Sequence, residues 1–115
     1  MPYVRFSTTQ GLSEEKRAEV RAAIWDAITE LPDKSPEVTM IEIGDHADIM
    51  KGPGGTPAIF AETHLFTQAP IETKRAYAKK LFAKFGELLG VDPKNMYFNI
   101  LELNEWGSGG NYKSF

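Results

Sequence analysis

The chain has 115 residues, of which 42% are hydrophobic and 25% are charged, and its formal net charge at pH 7 is −3. This size and composition predict one domain spanning residues 1–115, and the small negative charge gives no electrostatic reason to expect nucleic acid or an anionic membrane as partner. The absence of cysteine excludes disulfides and thiolate metal sites.

The first half of the sequence predicts a strand, a helix and a second strand. Residues 2–6 alternate as a short strand, and Ser13 is a suitable N-cap for the helix that follows. Prolines at positions 32 and 36 end this helix, and residues 38–43 are rich in β-forming side chains. The apolar stripe of the helix consists of Val20, Ala23, Ile24, Ala27, Ile28 and Leu31.

The second half repeats this order. Residues 58–66 form a predicted strand, Pro70 suits a first helical turn, and Gly90 is a typical helix stop before the strand of residues 96–103. The apolar stripe of the second helix consists of Ala78, Leu81, Phe82, Phe85, Leu88 and Leu89.

A single helical crossover in each half implies parallel pairing of its two strands. We therefore predict an α/β fold (α+β in some schemes), a tandem βαβ repeat with a four-stranded sheet and two helices on one face. The strands carry apolar residues on both faces, since Ile59 and Leu65 at odd positions alternate with Phe60 and Phe66 at even positions. Because two helices cover only one face, the second face predicts oligomerisation.

Pro2 is the most informative candidate residue. Initiator methionine is generally removed before a small residue, and removal would leave Pro2 with a secondary amine held in a rigid ring. Many proteins begin with Met-Pro, so this feature predicts little without its context.

That context is a series of motifs in one order. They are Pro2-Tyr3-Val4-Arg5-Phe6, Gln10-Gly11-Leu12-Ser13-Glu14-Glu15-Lys16, Lys34-Ser35-Pro36, the glycine-rich residues 50–57, and Met96-Tyr97-Phe98-Asn99, followed by Trp106 and Phe115 near aromatic positions. Together they resemble the tautomerase superfamily, close to macrophage migration inhibitory factor, over nearly the whole chain.

The resemblance implies a homotrimer of βαβ-repeat subunits that interconverts the enol and keto forms of a small 2-oxo acid, such as one like phenylpyruvate. It implies that Pro2 is the catalytic base and acid, that Lys34 binds the substrate carboxylate, and that the Phe66 backbone contacts the substrate. Tyr97 and Asn99 would come from the neighbouring subunit. No metal and no organic cofactor is expected.

Three of these residues, and also Arg5, have a structural interpretation. Lys34 follows a helix end, where lysines are usually solvated, and Tyr97 and Asn99 could mark the polar side of a strand. Arg5 could pair with Glu42 or Glu62 inside the assembly.

Three further features also have structural interpretations. The glycine-rich loop lacks the phosphate-binding pattern and is interpreted as a connector. His46 and His64 do not have metal-ligand spacing, and His64 is interpreted as a core or interface residue.

Two departures from the resembling family narrow the function. The family's Cys-x-x-Cys segment is absent, so its proposed thiol–disulfide activity is not expected. Leu12 occupies the place of a substrate-binding arginine in relatives similar to 4-oxalocrotonate tautomerase, which argues against a dicarboxylate substrate.

Two alternatives remain beside tautomerisation: another reaction at the same site, such as decarboxylation, or a non-enzymatic binding or signalling protein. No apolar run approaches the ~18–20 residues that cross a bilayer, and no secretory signal is recognisable, so a cytoplasmic location without membrane partner is expected.

Overall fold

Each half of the chain forms a strand, a helix and a second strand, as the sequence predicts. The computed structural model describes all residues from Met1 to Phe115. Its elements are β1 (Pro2–Thr8), α1 (Glu14–Ile28), β2 (Met40–Gly44), β3 (Ile59–Phe66), α2 (Ile71–Leu89), β4 (Met96–Leu103), β5 (Glu105–Ser108) and β6 (Asn111–Ser114). Short 3₁₀ turns at Pro36–Val38 and Pro93–Asn95 precede β2 and β4. Neither α-helix combines the length and the apolar character needed to span a bilayer.

The four long strands form one mixed sheet in the order β2-β1-β3-β4. β1 pairs in parallel with β2, and β3 pairs in parallel with β4, which confirms the predicted pairing within each half. The two halves meet where β1 runs antiparallel to β3, with Pro2 opposite Leu65 and Thr8 opposite Ile59. The predicted four-stranded sheet and two-helix architecture is therefore confirmed.

The core lies between this sheet and the two helices. All six residues of the predicted α1 stripe are buried, although the helix itself ends at Ile28 and Leu31 follows in the turn. Leu81 and Phe85 of α2 lie in the same core cluster as Phe6 of β1, and the centroids of the Phe6 and Phe85 rings are 4.8 Å apart. Tyr77, absent from the predicted stripe, is also buried, and its hydroxyl lies 2.7 Å from that of Thr63.

Local signals set most element boundaries. The Ser13 side chain accepts a hydrogen bond from the Lys16 N–H at 3.1 Å, and Gly90 ends α2 in the left-handed conformation with φ 67°. Two boundaries differ from expectation. β2 begins at Met40 because Pro36 starts a 3₁₀ turn, and Pro70 occupies the N-cap of α2 instead of its first turn.

The face of the sheet opposite the helices is uncovered in the single chain. Large apolar side chains are exposed there, namely Met40 (69%), Tyr97 (59%), Leu101 (45%) and Leu103 (40%). Phe60 and Phe66 of β3 are half-buried on the same face. The two edge strands β2 and β4 each have one unpaired side. Exposed apolar area of this kind and open sheet edges indicate a surface that binds protein.

Candidate active site

The largest of five surface clefts, of about 580 Å³, lies at the start of β1. Pro2 is buried and lines this cleft, and it begins β1 opposite Leu65 in the middle of the sheet. The cleft is lined by Met1, Pro2, Tyr3, Val38, Met40, Trp106, Gly107, Ser108 and Gly109. A buried residue in the lining of an open, largely apolar cleft has the surroundings of a ligand site.

Lys34 lies at the same end of the sheet. Its ammonium Nζ donates hydrogen bonds to the Phe66 carbonyl oxygen at 2.6 Å and to the Thr67 hydroxyl oxygen at 3.0 Å. Phe66 directly follows Leu65, the residue that pairs with Pro2. Lys34 does not line the cleft around Pro2, but it is fixed beside it by two contacts with the end of β3. It is therefore not the freely solvated lysine of the structural interpretation.

The electrostatics of this region act on the amino group that precedes Pro2. Partial burial, then the charge of Lys34 and then that of Lys113, lower the pKa of the Met1 amino group below its ordinary value. Each influence disfavours a positive charge. A free amine at this point therefore has an increased neutral, proton-accepting fraction near pH 7.

Met1 itself blocks that chemistry at Pro2. While Met1 is attached, the Pro2 nitrogen is a tertiary amide without a basic lone pair or a proton to return. The Met1 side chain lies against the cleft wall, where its sulfur accepts a hydrogen bond from the Ser108 hydroxyl at 2.9 Å.

The hairpin of β5 and β6 forms one wall of the cleft, and this element was absent from the sequence interpretation. Trp106 on β5 lies near the Phe66 ring, with 6.4 Å between ring centroids. The two strands are joined by Gly109-Gly110, and a two-residue Gly-Gly turn between short strands is a recognised hairpin signal. That signal could have identified the wall in advance.

Tyr97 and Asn99 are not brought to Pro2 within one chain. Both lie on β4, which β3 separates from β1, and Tyr97 is level with Phe60 and Ser7 at the far end of the sheet. Tyr97 lines a smaller cleft of about 140 Å³, where the Lys51 ammonium lies 5.3 Å from its ring centroid. Any site that combines these residues with Pro2 requires a second subunit.

Arg5 lies next to the two glutamates that its structural interpretation named as partners. It pairs in register with both Glu42 and Glu62, and its Nε lies 3.9 Å from a Glu42 carboxylate oxygen. The Tyr3 hydroxyl donates to the same carboxylate, which raises the pKa of Tyr3. These contacts account for Arg5 without a catalytic role.

The other residues singled out by the sequence lie outside the cleft. The His64 ring packs edge-on against Tyr3 at 5.3 Å on the uncovered face, and His46 lies 3.9 Å from Asp45. Leu12 packs against the core, and its N–H donates to Asp45. No group of three or more His, Asp or Glu side chains is arranged to hold a metal ion.

Comparison with solved structures identifies the fold. MIF2 of Leishmania major superposes with a TM-score of 0.90 at 18% identity, covering 98% of this chain and 97% of that chain. Pt0534 inactivated by 2-oxo-3-pentynoate gives 0.82 at 18% identity, covering 94% and 93%. A fused 4-OT, solved as an asymmetric trimer, gives 0.81 at 19% identity, covering 95% and 94%. The chain therefore has the fold of MIF-like and 4-OT proteins, as its motifs lead us to expect. No family model and no curated protein matches the sequence.

Proposed function

We propose that the protein is a keto–enol tautomerase of a small 2-oxo acid, similar to phenylpyruvate, and that Pro2 moves the proton. The observation that carries this proposal is that buried Pro2 lines the largest cleft, beside an ammonium that is fixed at the end of β3. The substrate class is supported by the structural relative Pt0534, which a 2-oxo acid inactivates.

The proposed reaction needs one group that accepts and returns a proton. After removal of Met1, the neutral Pro2 nitrogen takes the proton from the enol O–H and returns it to the substrate carbon. The C=C bond becomes a C–C bond as the C=O bond forms, so no electron donor is required. Such a base works best with a pKa near the working pH, and burial together with Lys34 favours that condition.

The remaining roles are those that the family resemblance implies. Lys34 anchors the substrate carboxylate, and the Phe66 backbone, which already accepts from Lys34, borders the bound acid. In a homotrimer, Tyr97 and Asn99 of a neighbouring chain complete the pocket and donate hydrogen bonds to the oxygen that gains charge. The trimeric fused 4-OT supports this assembly.

A substrate panel tests the activity. Protein freed of Met1 is assayed with an enol 2-oxo acid, a halo-acid and a β-keto acid. We expect turnover of the enol and little reaction with the other two. Preferred loss of carbon dioxide from the β-keto acid would instead indicate a decarboxylase, in which protonated Pro2 is the acid. No turnover of any of the three by processed protein would favour a binding or signalling protein.

A further inference from the structure

Thr67, directly after β3, has an unusual backbone conformation. Its φ is +71°, in the left-handed region, where a β-branched residue meets steric crowding that glycine avoids. The conformation is held by neighbouring contacts, since the Thr67 N–H donates to the Leu103 carbonyl at 2.8 Å. A β-branched residue in this conformation raises the question of what its side chain does.

The Thr67 hydroxyl contacts Lys34. An ammonium group has three N–H donors, and the hydrogen bonds to Phe66 and Thr67 use two of them. With Phe66 as its only partner, the ammonium at the end of a flexible stem could swing about that single contact. The Thr67 hydroxyl supplies the second fixed point, and the direction of the third N–H follows from tetrahedral geometry.

The segment that carries Thr67 is itself anchored. The Glu102 carboxylate accepts from the Ala69 N–H at 2.7 Å and from the Lys74 ammonium at 2.8 Å. The hydrogen bond from Lys74, then that from Ala69, lower the pKa of Glu102, so this carboxylate stays ionised at neutral pH. Thr67 therefore lies between two fixed points, its own bond to β4 and the bond at Ala69.

We propose that Thr67 is a positioning residue that orients the Lys34 ammonium so that its one remaining N–H points to a substrate carboxylate. This inference deepens the proposed function and rests on the role given there to Lys34. It assigns the unfavourable conformation of Thr67 to anion recognition, because glycine would fit the backbone better but would leave Lys34 with one partner. Thr67 itself need not touch the substrate.

The test uses binding as well as turnover. The probe is 3-phenylpropanoate, a carboxylate that lacks the 2-oxo group of the substrate, compared with its methyl ester on Met1-free protein. The variants are Thr67→Val, which keeps the branched shape, Thr67→Gly, which relieves the backbone, and Thr67→Ser, which keeps the hydroxyl. Lys34→Ala serves as the reference for full loss of the anchor.

We expect Thr67→Val and Thr67→Gly to weaken carboxylate binding roughly three- to tenfold, the effect of one hydrogen bond, while binding of the ester and kcat for the enol substrate stay nearly constant. Thr67→Ser should bind like the wild type. Thr67→Gly should unfold at the same or a higher temperature than the wild type, which separates loss of affinity from loss of folding.

Three outcomes separate this inference from the proposed function. Suppose that Thr67→Val and Thr67→Gly keep the wild-type acid-to-ester selectivity and the activity, and that carboxylate binding still depends on Lys34. This result would overturn the role of Thr67 and leave the proposed function standing. If carboxylate binding depends on Lys34 and Thr67 but no substrate is turned over, the result would support the positioning role of Thr67 and contradict the proposed tautomerase activity. Carboxylate binding that does not depend on Lys34 would overturn the inference, since no anchor would remain to be positioned.

Discussion

At the scale of single residues, the charges around the start of β1 act on the pKa of the amino group there. Partial burial, Lys34 and Lys113 lower the pKa of the Met1 amino group, in that order. Removal of Met1 places the free amine one residue further in, at buried Pro2, on the same side of the sheet end as Lys34. The same influences should therefore act on the Pro2 amine.

The pH dependence of activity follows from this placement. A base must be neutral, so activity falls as pH drops through the pKa of the Pro2 amine. A prolyl N-terminus in a flexible peptide lacks these influences, so the acid limb of kcat/KM should lie below the pKa of such a peptide amine. Lys34→Met removes one lowering influence, so the limb should move to higher pH but stay below the ordinary value, because burial remains.

Lys113→Met is the matched control, since Lys113 is exposed and its effect on the amino group is smaller than that of Lys34. The acid limb of the Lys113→Met variant should also move to higher pH, but by a smaller amount than that of Lys34→Met. A wild-type limb at or above the pKa of a prolyl N-terminus in a flexible peptide, or a limb that moves to lower pH in Lys34→Met, would contradict the proposed lowering of the Pro2 pKa.

The sequence could indicate some residues of the site and not others. Pro2, Lys34 and Phe66 were identified through resemblance, and the structure places all three at one end of the sheet. Thr67 had no sequence signal, because its positive φ results from contacts with β4 and Lys34 that are distant in the chain. The roles of these residues in catalysis remain predictions.

Among the elements, the two helices show how far local signals reach. Ser13 and Gly90 are correctly predicted as helix boundaries because capping depends on nearby backbone groups. The buried Tyr77 was missed, since its burial depends on a hydroxyl partner, Thr63, on β3. The β5–β6 hairpin was missed even though its Gly-Gly turn is a local signal.

Gly86 inside α2 and Gly90 directly after it give a paired test of this account. Gly90→Ala places a Cβ at φ 67° and should lower the free energy of unfolding by about 1 kcal/mol. Gly86→Ala lies inside the helix, where the new Cβ would meet the Val91 carbonyl oxygen at 3.7 Å and Met96 Cε at 3.9 Å, ordinary contact distances. It should raise that free energy by about 0.5–1 kcal/mol.

Urea unfolding of both variants at one fixed protein concentration measures the pair, since the stability of an oligomer depends on concentration. Equal changes of the same sign in the two variants would show that Gly90 is not selected by its backbone conformation.

At the scale of the whole molecule, the uncovered sheet face and the position of β4 both lead us to expect an oligomer. Met40, Tyr97 and Leu101 are exposed in the single chain, and Tyr97 lies far from Pro2. Apolar residues at both odd and even strand positions indicated a second apolar face, but they did not indicate the number of subunits. The trimer of the fused 4-OT gives a number to propose.

Light scattering at micromolar concentration should give three times the subunit mass of 12.8 kDa. Leu101→Lys, which places a charge on the uncovered face, should shift the protein toward smaller species, whereas Lys79→Glu on an exposed position of α2 should not. A wild-type mass of one subunit would contradict both the trimer and a pocket shared between chains.

The central claim is that a free Pro2 nitrogen carries the chemistry, and Met1 gives its most direct test. Two preparations are compared, one with Met1 fully retained and one with Met1 fully removed, each verified by intact-mass spectrometry and matched in oligomeric mass. Because general base catalysis contributes typically ~10²–10⁴-fold, the processed protein should tautomerise an enol 2-oxo acid at least about a hundredfold faster. Equal rates from the two preparations would remove Pro2 from the mechanism.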